Sequence, residues 1–225
     1  MAIEAEDVYV TQRQRKDELW QIDLADMTRV SRQNFGFKYI LTVIDVLSKF
    51  AFAIPLKSKT PESVINALKS ILNNRKPENI QSDKGREFVN NKTKRFFRQN
   101  HINHYVAENE DIKCAVVERF NRTLKTKLFK YFTANDTFKY VDVLHDFVNA
   151  YNNTEHRSIK MKPVGVTIEN EENAFRNLYG GKTVRDMIHE SQPSKLGEGD
   201  SIRISKHKKT FEKGYLPNWT EEVFR

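Results

Sequence analysis

The stretch WQIDLADM, residues 20–27, sets the first element of the fold and places an acid within it. Trp20, Ile22 and Leu24 are apolar and alternate with residues of the opposite face, among which is Asp23. This period of two is the pattern of a half-buried β-strand. The stretch therefore predicts a strand that carries Asp23 on the face opposite the tryptophan.

Two more strands are predicted directly downstream of this one. Lys38–Asp45 and Phe50–Leu56 are apolar runs of strand length, and the short polar turn Leu47–Lys49 separates them. Runs of this length joined by short turns are typical of antiparallel neighbours. The first half of the core is therefore predicted to be a meander of three antiparallel strands.

Helices and strands alternate in the next part of the chain. Thr60-Pro61 supplies an N-cap and a proline at the first helical position, ahead of apolar residues at helical spacing. The later predicted elements are a strand at Asn79–Ser82, a helix near Asn91–Asn100, a strand at His101–Val106, and helices at about Cys114–Tyr131 and Tyr140–Asn153. This order predicts an α/β protein with a mixed five-stranded sheet, three strands antiparallel and the later ones parallel, with helices on both faces.

Length and composition suggest one core domain with appendages. A chain of 225 residues suits a single core. We interpret residues 1–17 as a basic N-terminal arm, 18–180 as the core and 181–199 as a linker. A new strand pattern begins at residue 200, and because 200–225 is too short for a small β-barrel we expect the chain to end inside that domain.

Composition also narrows the function classes. The N-terminus lacks the basic start and apolar run of a secretory signal, and no apolar segment is long enough to span a membrane, so we expect an intracellular protein. The single cysteine, Cys114, cannot form an internal disulfide or a Cys-rich zinc cluster. His101 and His104 have a ligand-like spacing, but they fall where a strand is predicted to begin. The net charge of +8 and the pI near 9.4 favour a polyanionic partner.

Three carboxylates stand where the predicted elements can bring them together. Asp23 is in mid-strand, Asp83 follows a strand end, and Glu118 is in the first turns of a helix. Each close pair of such anions would cost roughly 4 kcal/mol at about 4 Å for an effective dielectric of about 20, so a cation must offset the repulsion. Oxygen ligands alone favour Mg²⁺, with Mn²⁺ as substitute. Two such ions can clamp an in-line displacement at phosphorus.

The helix that carries Glu118 is otherwise basic. It carries five cations and no other acid: Arg119, Arg122, Lys125, Lys127 and Lys130. Arg122 and Lys125 lie four and seven residues after Glu118, so they share its face and can bind phosphates of a DNA end. We predict DNA contacts for these two and for Arg119, and interpret Lys127 and Lys130 as solvated.

Four segments together resemble the catalytic core of retroviral-type integrases, and most closely the integrases of Maverick/Polinton DNA transposons. They are WQIDLADM at 20–27, SDKGREF at 82–88, ERFNRTLK at 118–125 and YNNTEHRS at 151–158. The resemblance covers about residues 18–170. It implies an RNase H-like fold and a polynucleotidyl transferase that carries out 3′-end processing and strand transfer of element DNA, with no organic cofactor.

The resemblance also implies roles for individual residues. Asp23, Asp83 and Glu118 match the catalytic, metal-binding triad, and Arg122 and Lys125 match basic positions that touch donor DNA. Asn121 and the segment Asn152–Arg157 match features that we interpret as structural. Gly199–Ile204 and Lys206–Lys209 resemble the opening of an SH3- or chromo-like DNA-binding barrel. A homo-oligomer that acts in the nucleus is implied as well.

The sequence departs from the retroviral pattern in two respects. Between Asp83 and Glu118 lie 34 residues, one fewer than in the retroviral pattern. We also expect no His-His-Cys-Cys zinc domain before the core. Three alternatives stay open: a domesticated or inactive DNA-binding protein, a basic scaffold, or an RNase H-type nuclease. The nuclease predicts a fourth carboxylate in the site, for which Glu87 and Asp45 are candidates.

Overall fold

The computed structural model describes residues 15–106 and 114–181, together with residues 201, 222 and 223. The chain divides into two compact units, Met1–Thr183 and Val184–Arg225, and the described helices and strands all belong to the first unit. The loop at 107–113, most of the predicted arm, and the predicted barrel start lie outside the described residues, apart from the three isolated positions.

The described part of the first unit contains one mixed β-sheet. Its strands are β1 (Leu19–Asp26), β2 (Tyr39–Asp45), β3 (Ala51–Leu56), β4 (Asn79–Ser82) and β5 (Asn103–Val106). They lie in the order β3-β2-β1-β4-β5. β1, β2 and β3 pair antiparallel, whereas β4 is parallel to both β1 and β5. The predicted sheet, a meander followed by parallel strands, is confirmed.

Helices cover both faces of the sheet, as predicted. The α-helices of the described residues are α1 (Pro61–Leu72), α2 (Asn91–Gln99), α3 (Ala115–Ala134), α4 (Leu144–Asn153) and α5 (Glu171–Leu178), and short 3₁₀ helices occupy Thr28–Asn34 and Pro163–Gly165. None of the helices within these described ranges is both long and apolar enough to cross a membrane.

The sheet separates two hydrophobic cores. Trp20 and Ile22 of β1 are buried with residues of α1 and α2, whereas Ile40 and Ile44 of β2 are buried with residues of α3 and α4. Because successive side chains of a strand point to opposite faces, Gln21 and Asp23 must face the layer of α3 and α4. The candidate chemistry of β1 therefore belongs to one face of the sheet.

Two predicted element starts differ from the structure by more than one residue. The helix predicted from Tyr140 begins at Leu144, because the Asn34 side-chain oxygen accepts the backbone N–H of Tyr140 at 2.7 Å and that of Val141 at 3.3 Å. The strand predicted from His101 begins at Asn103, because His101 has a left-handed φ of 51°. Helix α5 was not predicted.

Candidate active site on the α3 face of the sheet

Asp23 is half-buried in the middle of β1, where it is opposite Thr42 of β2. Its Oδ1 accepts the backbone N–H of Leu24 at 2.7 Å, and its Oδ2 accepts the side-chain N–H of Asn121 at 2.7 Å. Asn121 is one turn after Glu118 on α3. The carboxylate of Asp23 is thus held against the helix that carries Glu118, and Asn121 provides the contact that holds it.

Asp83 follows β4 directly and is exposed. β4 pairs with β1 in a parallel register that places Gln21 beside Gln81. Two residues further along both strands, this register brings Asp83 level with Asp23, and neighbouring strands are about 5 Å apart. Two acids that are 60 positions apart in the sequence therefore lie at corresponding positions of neighbouring strands.

Glu118 lies in the first turn of α3, and the start of this helix is fixed by Gln21. The Gln21 side-chain oxygen accepts the backbone N–H groups of Val116 at 3.0 Å and Val117 at 3.1 Å. Its amide nitrogen donates to the Gln81 oxygen at 2.8 Å. Free N–H groups at a helix start need acceptors, and here a strand residue supplies one. The sequence alone did not predict this role of Gln21. Its only signal is a polar residue at a strand position that faces the same layer as Asp23.

The three carboxylates act electrostatically on the same buried groups. Burial raises the pKa of the Asp23 carboxyl, and the charges of Asp83 and Glu118 raise it further, against the lowering effect of its two hydrogen bonds. Burial also raises the pKa of the Cys114 thiol to about 12, and Asp23, Asp83 and Glu118 all add to that rise. All three acids therefore lie around the start of α3.

The donor set fits a hard divalent cation in its chemistry. It consists of carboxylate oxygens that repel one another, and the buried Asn121 Oδ1 beside them has no hydrogen-bond partner among the described residues. The side chains are not gathered as ligands, however: within the described ranges, no three His, Cys, Asp or Glu side chains form a group that could hold a metal ion. Asp83 and Glu118 are both exposed.

A fourth carboxylate lies beside Asp83. A Cβ atom on Gly85 would meet Asp83 Oδ1 and Glu87 Cδ, each at 2.9 Å, so both carboxyl groups border the space above this glycine. Gly85 also donates its N–H to Asp83 Oδ1 at 3.0 Å. Of the two acids predicted as fourth carboxylates, Glu87 is therefore near the site.

Asp45, the other candidate, belongs to a structural network. It is fully buried at the end of β2, where its carboxylate accepts hydrogen bonds from Ser48 Oγ at 2.7 Å and Arg75 at 3.0 Å. Arg75 also pairs with Asp17 at 2.6 Å. Asp45 is at the Trp20 end of β1, opposite the end that carries Asp26.

His101 and His104, whose ligand-like spacing does not predict a metal site because a strand is expected to begin there, have different surroundings. His104 shares a hydrogen bond of 2.9 Å with Ser82, and its ring packs on Phe97 at 4.8 Å. Burial lowers the pKa of His104 to about 4. His101 is exposed in the turn before β5.

The predicted DNA-binding residues separate into two groups. Arg122 is exposed and Lys125 is half-buried. The hydrogen bonds from Thr28 lower the pKa of Asp26 most, and the charge of Lys125 lowers it further. This effect indicates that Lys125 lies near the end of β1. Arg119 is exposed and acts instead on Lys49 and His156.

Comparison with known proteins places this geometry in context. Residues 13–111 match the family model described as Integrase core domain. This range includes Asp23 and Asp83, whereas Glu118 lies beyond it. The chain is also 38% identical over 200 residues to an uncharacterized transposon-derived protein of Caenorhabditis elegans. That alignment covers 88% of this chain and 65% of the relative, so the chain spans less than two thirds of the relative's length.

Solved integrase cores share the fold. The catalytic core domain of HTLV-2 integrase in complex with magnesium has 19% identity and a TM-score of 0.55, over 68% of this chain and 97% of that one. The catalytic core domain of BIV integrase has 19% identity and a TM-score of 0.56, over 71% and 99%. The fold is therefore the RNase H-like fold of integrase catalytic cores. The family-model match and the solved structures thus agree on the fold of an integrase catalytic core.

Proposed function

We propose that this chain is the catalytic part of a DNA integrase of the Maverick/Polinton type, which processes the 3′ ends of mobile-element DNA and joins them to target DNA. It is a polynucleotidyl transferase with a nicking, endonuclease-like first step. The observation that carries this proposal is geometric: the Asn121 hydrogen bond, the β1–β4 register and the first turn of α3 bring Asp23, Asp83 and Glu118 to one face of the sheet. The transposon-derived relative supports the choice of a mobile element.

The side chains of this site would hold Mg²⁺, or Mn²⁺ as substitute. Two bound ions would activate a water or 3′-hydroxyl for attack at phosphorus and stabilise the leaving oxygen. Asp23, Asp83 and Glu118 are the proposed ligands, and Asn121 keeps Asp23 oriented through its 2.7 Å hydrogen bond. Hydrogen bonds that orient carboxylate ligands are a usual part of metal sites.

The proposed substrates are the ends of an element and a target duplex. Arg122 and Lys125 are the proposed contacts to donor DNA, since a basic side chain beside the carboxylates can neutralise a phosphate. We propose further that the protein acts as a homo-oligomer in the nucleus. The division into an arm (1–17), a core (18–180), a linker (181–199) and the start of a DNA-binding barrel (200–225) is part of the same proposal.

Strand transfer into a plasmid tests this function. The substrate is a duplex oligonucleotide copied from the DNA that flanks the gene, supplied with Mg²⁺ or Mn²⁺. We expect joined product from the wild type and at least a hundredfold less from Asp83→Asn. Asp142→Asn removes an exposed carboxylate from elsewhere and is the matched control. Equal product from the wild type and Asp83→Asn would contradict the proposal.

Binding of Mn²⁺ separates the enzyme from a DNA-binding protein without a metal site. Isothermal titration should give heat with the wild type and much less with Glu118→Gln. The absence of heat in both would favour the scaffold or domesticated protein, which binds DNA without cutting it.

The position of Glu87 favours one second candidate, an RNase H-type hydrolase with four carboxylates. That enzyme would cleave the RNA strand of an RNA–DNA hybrid and would not join DNA ends. Hydrolysis of a labelled hybrid that Glu87→Gln abolishes, with no strand transfer in the wild type, would replace the integrase proposal by this one.

A further inference from the structure

We infer that Lys49, Arg119 and Arg157 form a second phosphate-binding site for the backbone of a DNA duplex, separate from Arg122 and Lys125. The inference rests on the proposed function only in taking DNA as the partner. It stands on the packing of three segments that are distant in sequence, and on a set of cations that forms no ion pair among the described residues.

The three segments meet where α4 ends against the sheet. The Asn152 side chain accepts the backbone N–H of Ala51 and donates to its carbonyl, both at 2.9 Å, so the end of α4 is fixed two residues from Lys49. Tyr151 packs its ring on Phe120 at 4.9 Å and on His156 at 6.1 Å. Three segments are therefore neighbours in the fold: the turn after β2, the first turns of α3 and the segment after α4.

Lys49 is a buried ammonium with few partners. Lys49 is only 6% exposed, and its Nζ donates a hydrogen bond to the carbonyl of Val46 at 2.6 Å. An ammonium has three N–H groups, and burial of a charge is costly unless it is paired. Asp45 attracts it, but the Asp45 carboxylate already accepts hydrogen bonds from Arg75 and Ser48.

Two arginines add positive charge at this place. The charge of Arg119 acts on both Lys49 and His156, and that of Arg157 acts on His156. Both arginines are exposed, and neither they nor Lys49 forms an ion pair within the part of the chain that the structure describes. Neighbouring like charges repel one another, and an anion bound between them offsets that repulsion.

Phosphate oxygens suit this arrangement. An arginine presents several N–H groups in a plane that matches a phosphate, and exposed arginines can reach a passing backbone. Arg119 and Lys125 are six residues apart on α3, which corresponds to about 9 Å along the helix. Lys125 is near Asp26 at the end of β1, whereas Arg119 is near the turn after β2. The two basic groups would therefore bind different phosphates.

The test uses two double variants of the full chain that each lose two positive charges. Arg119→Gln/Arg157→Gln removes the exposed part of the proposed site. Arg95→Gln/Arg98→Gln removes two exposed arginines from α2 and is the matched control. Binding of a fluorescent duplex is measured by anisotropy across a salt series in EDTA, so that the result depends on neither metal nor catalysis.

We expect the slope of log affinity against log salt to become less steep by about 2 for the first double variant, since each phosphate contact contributes about 0.9. The control should keep the wild-type slope. Equal slopes for all three proteins, or an equal loss in both double variants, would overturn the inference. If the slopes differ as expected but the wild type gives no strand transfer, the second site stands and the proposed enzyme does not.

Discussion

Gln21 and Gln81 form a side-chain hydrogen bond of 2.8 Å between two parallel strands, and the oxygen of Gln21 also accepts two N–H groups at the start of α3. One buried amide thus connects β1, which carries Asp23, with the strand before Asp83 and the helix of Glu118. The relative positions of the three proposed ligands depend on it.

Replacing Gln21 by methionine should disturb this connection without a large change in volume. The change leaves two helix N–H groups and the Gln81 side chain without their partner. We expect the free energy of unfolding to fall by about 1–3 kcal/mol, from urea denaturation. Mn²⁺ binding should weaken as well. Gln99→Met, at an exposed position of α2, is the control, and equal stability of the two variants would contradict the role of Gln21.

Gly85→Ala should impair catalysis more than stability. Its new Cβ would lie 2.9 Å from the Asp83 oxygen and from the Glu87 carboxyl carbon, so both carboxyl groups must shift. A displacement of about 1 Å can cost about a hundredfold in rate, and we expect a loss of that size in strand transfer. At Gly165 the nearest atom to an added Cβ is 4.0 Å away, so Gly165→Ala should keep its activity.

Asn152→Ala should detach the end of α4 from the sheet. The Ala51 N–H and carbonyl would lose both partners in a buried place, which should lower the free energy of unfolding by about 2–4 kcal/mol. Asn153 is exposed and bonds only within its own helix, so Asn153→Ala should change stability by much less. Similar values for both variants in chemical denaturation would argue against this anchor.

His104 should make the fold sensitive to acid. Its pKa is lowered from 6.5 to about 4 by burial, so the folded protein disfavours the protonated ring. The stability that depends on the neutral ring is complete above pH 6.5 and is lost as the pH falls toward about 4. As the pH is lowered over this range, the melting temperature of His104→Gln should therefore fall less steeply than that of the wild type. His145→Gln, at an exposed position, should follow the wild type.

Local patterns in the sequence were enough to predict the sheet. Alternating and continuous apolar runs indicated the first three strands, and the fourth, Asn79–Ser82, was predicted to the residue. The position of Asp83 level with Asp23 follows from register, which strand patterns alone do not give. The predicted start of α4 at Tyr140 is wrong, because the side chain of Asn34, more than a hundred positions away, accepts the backbone N–H of Tyr140. Side-chain caps of this kind join distant segments and leave no periodic signal.

Acids were harder to sort than strands. Asp45 and Glu87 were equal candidates for a fourth carboxylate, and only the fold shows Asp45 bound by Arg75 and Glu87 beside Asp83. Likewise, the helical pattern grouped Arg119 with its basic neighbours on α3, but it lies near Lys49 at the turn after β2. Burial and long-range contacts decide such roles.

The sheet separates the layer of α3 and α4, which Asp23 faces, from the layer of α1 and α2. Since each layer has its own hydrophobic core, a substitution that repacks α1 should disturb Asp23 and Glu118 less than one that repacks α3. Sequence divergence between copies of this protein is therefore expected to concentrate on the α1 side of the sheet.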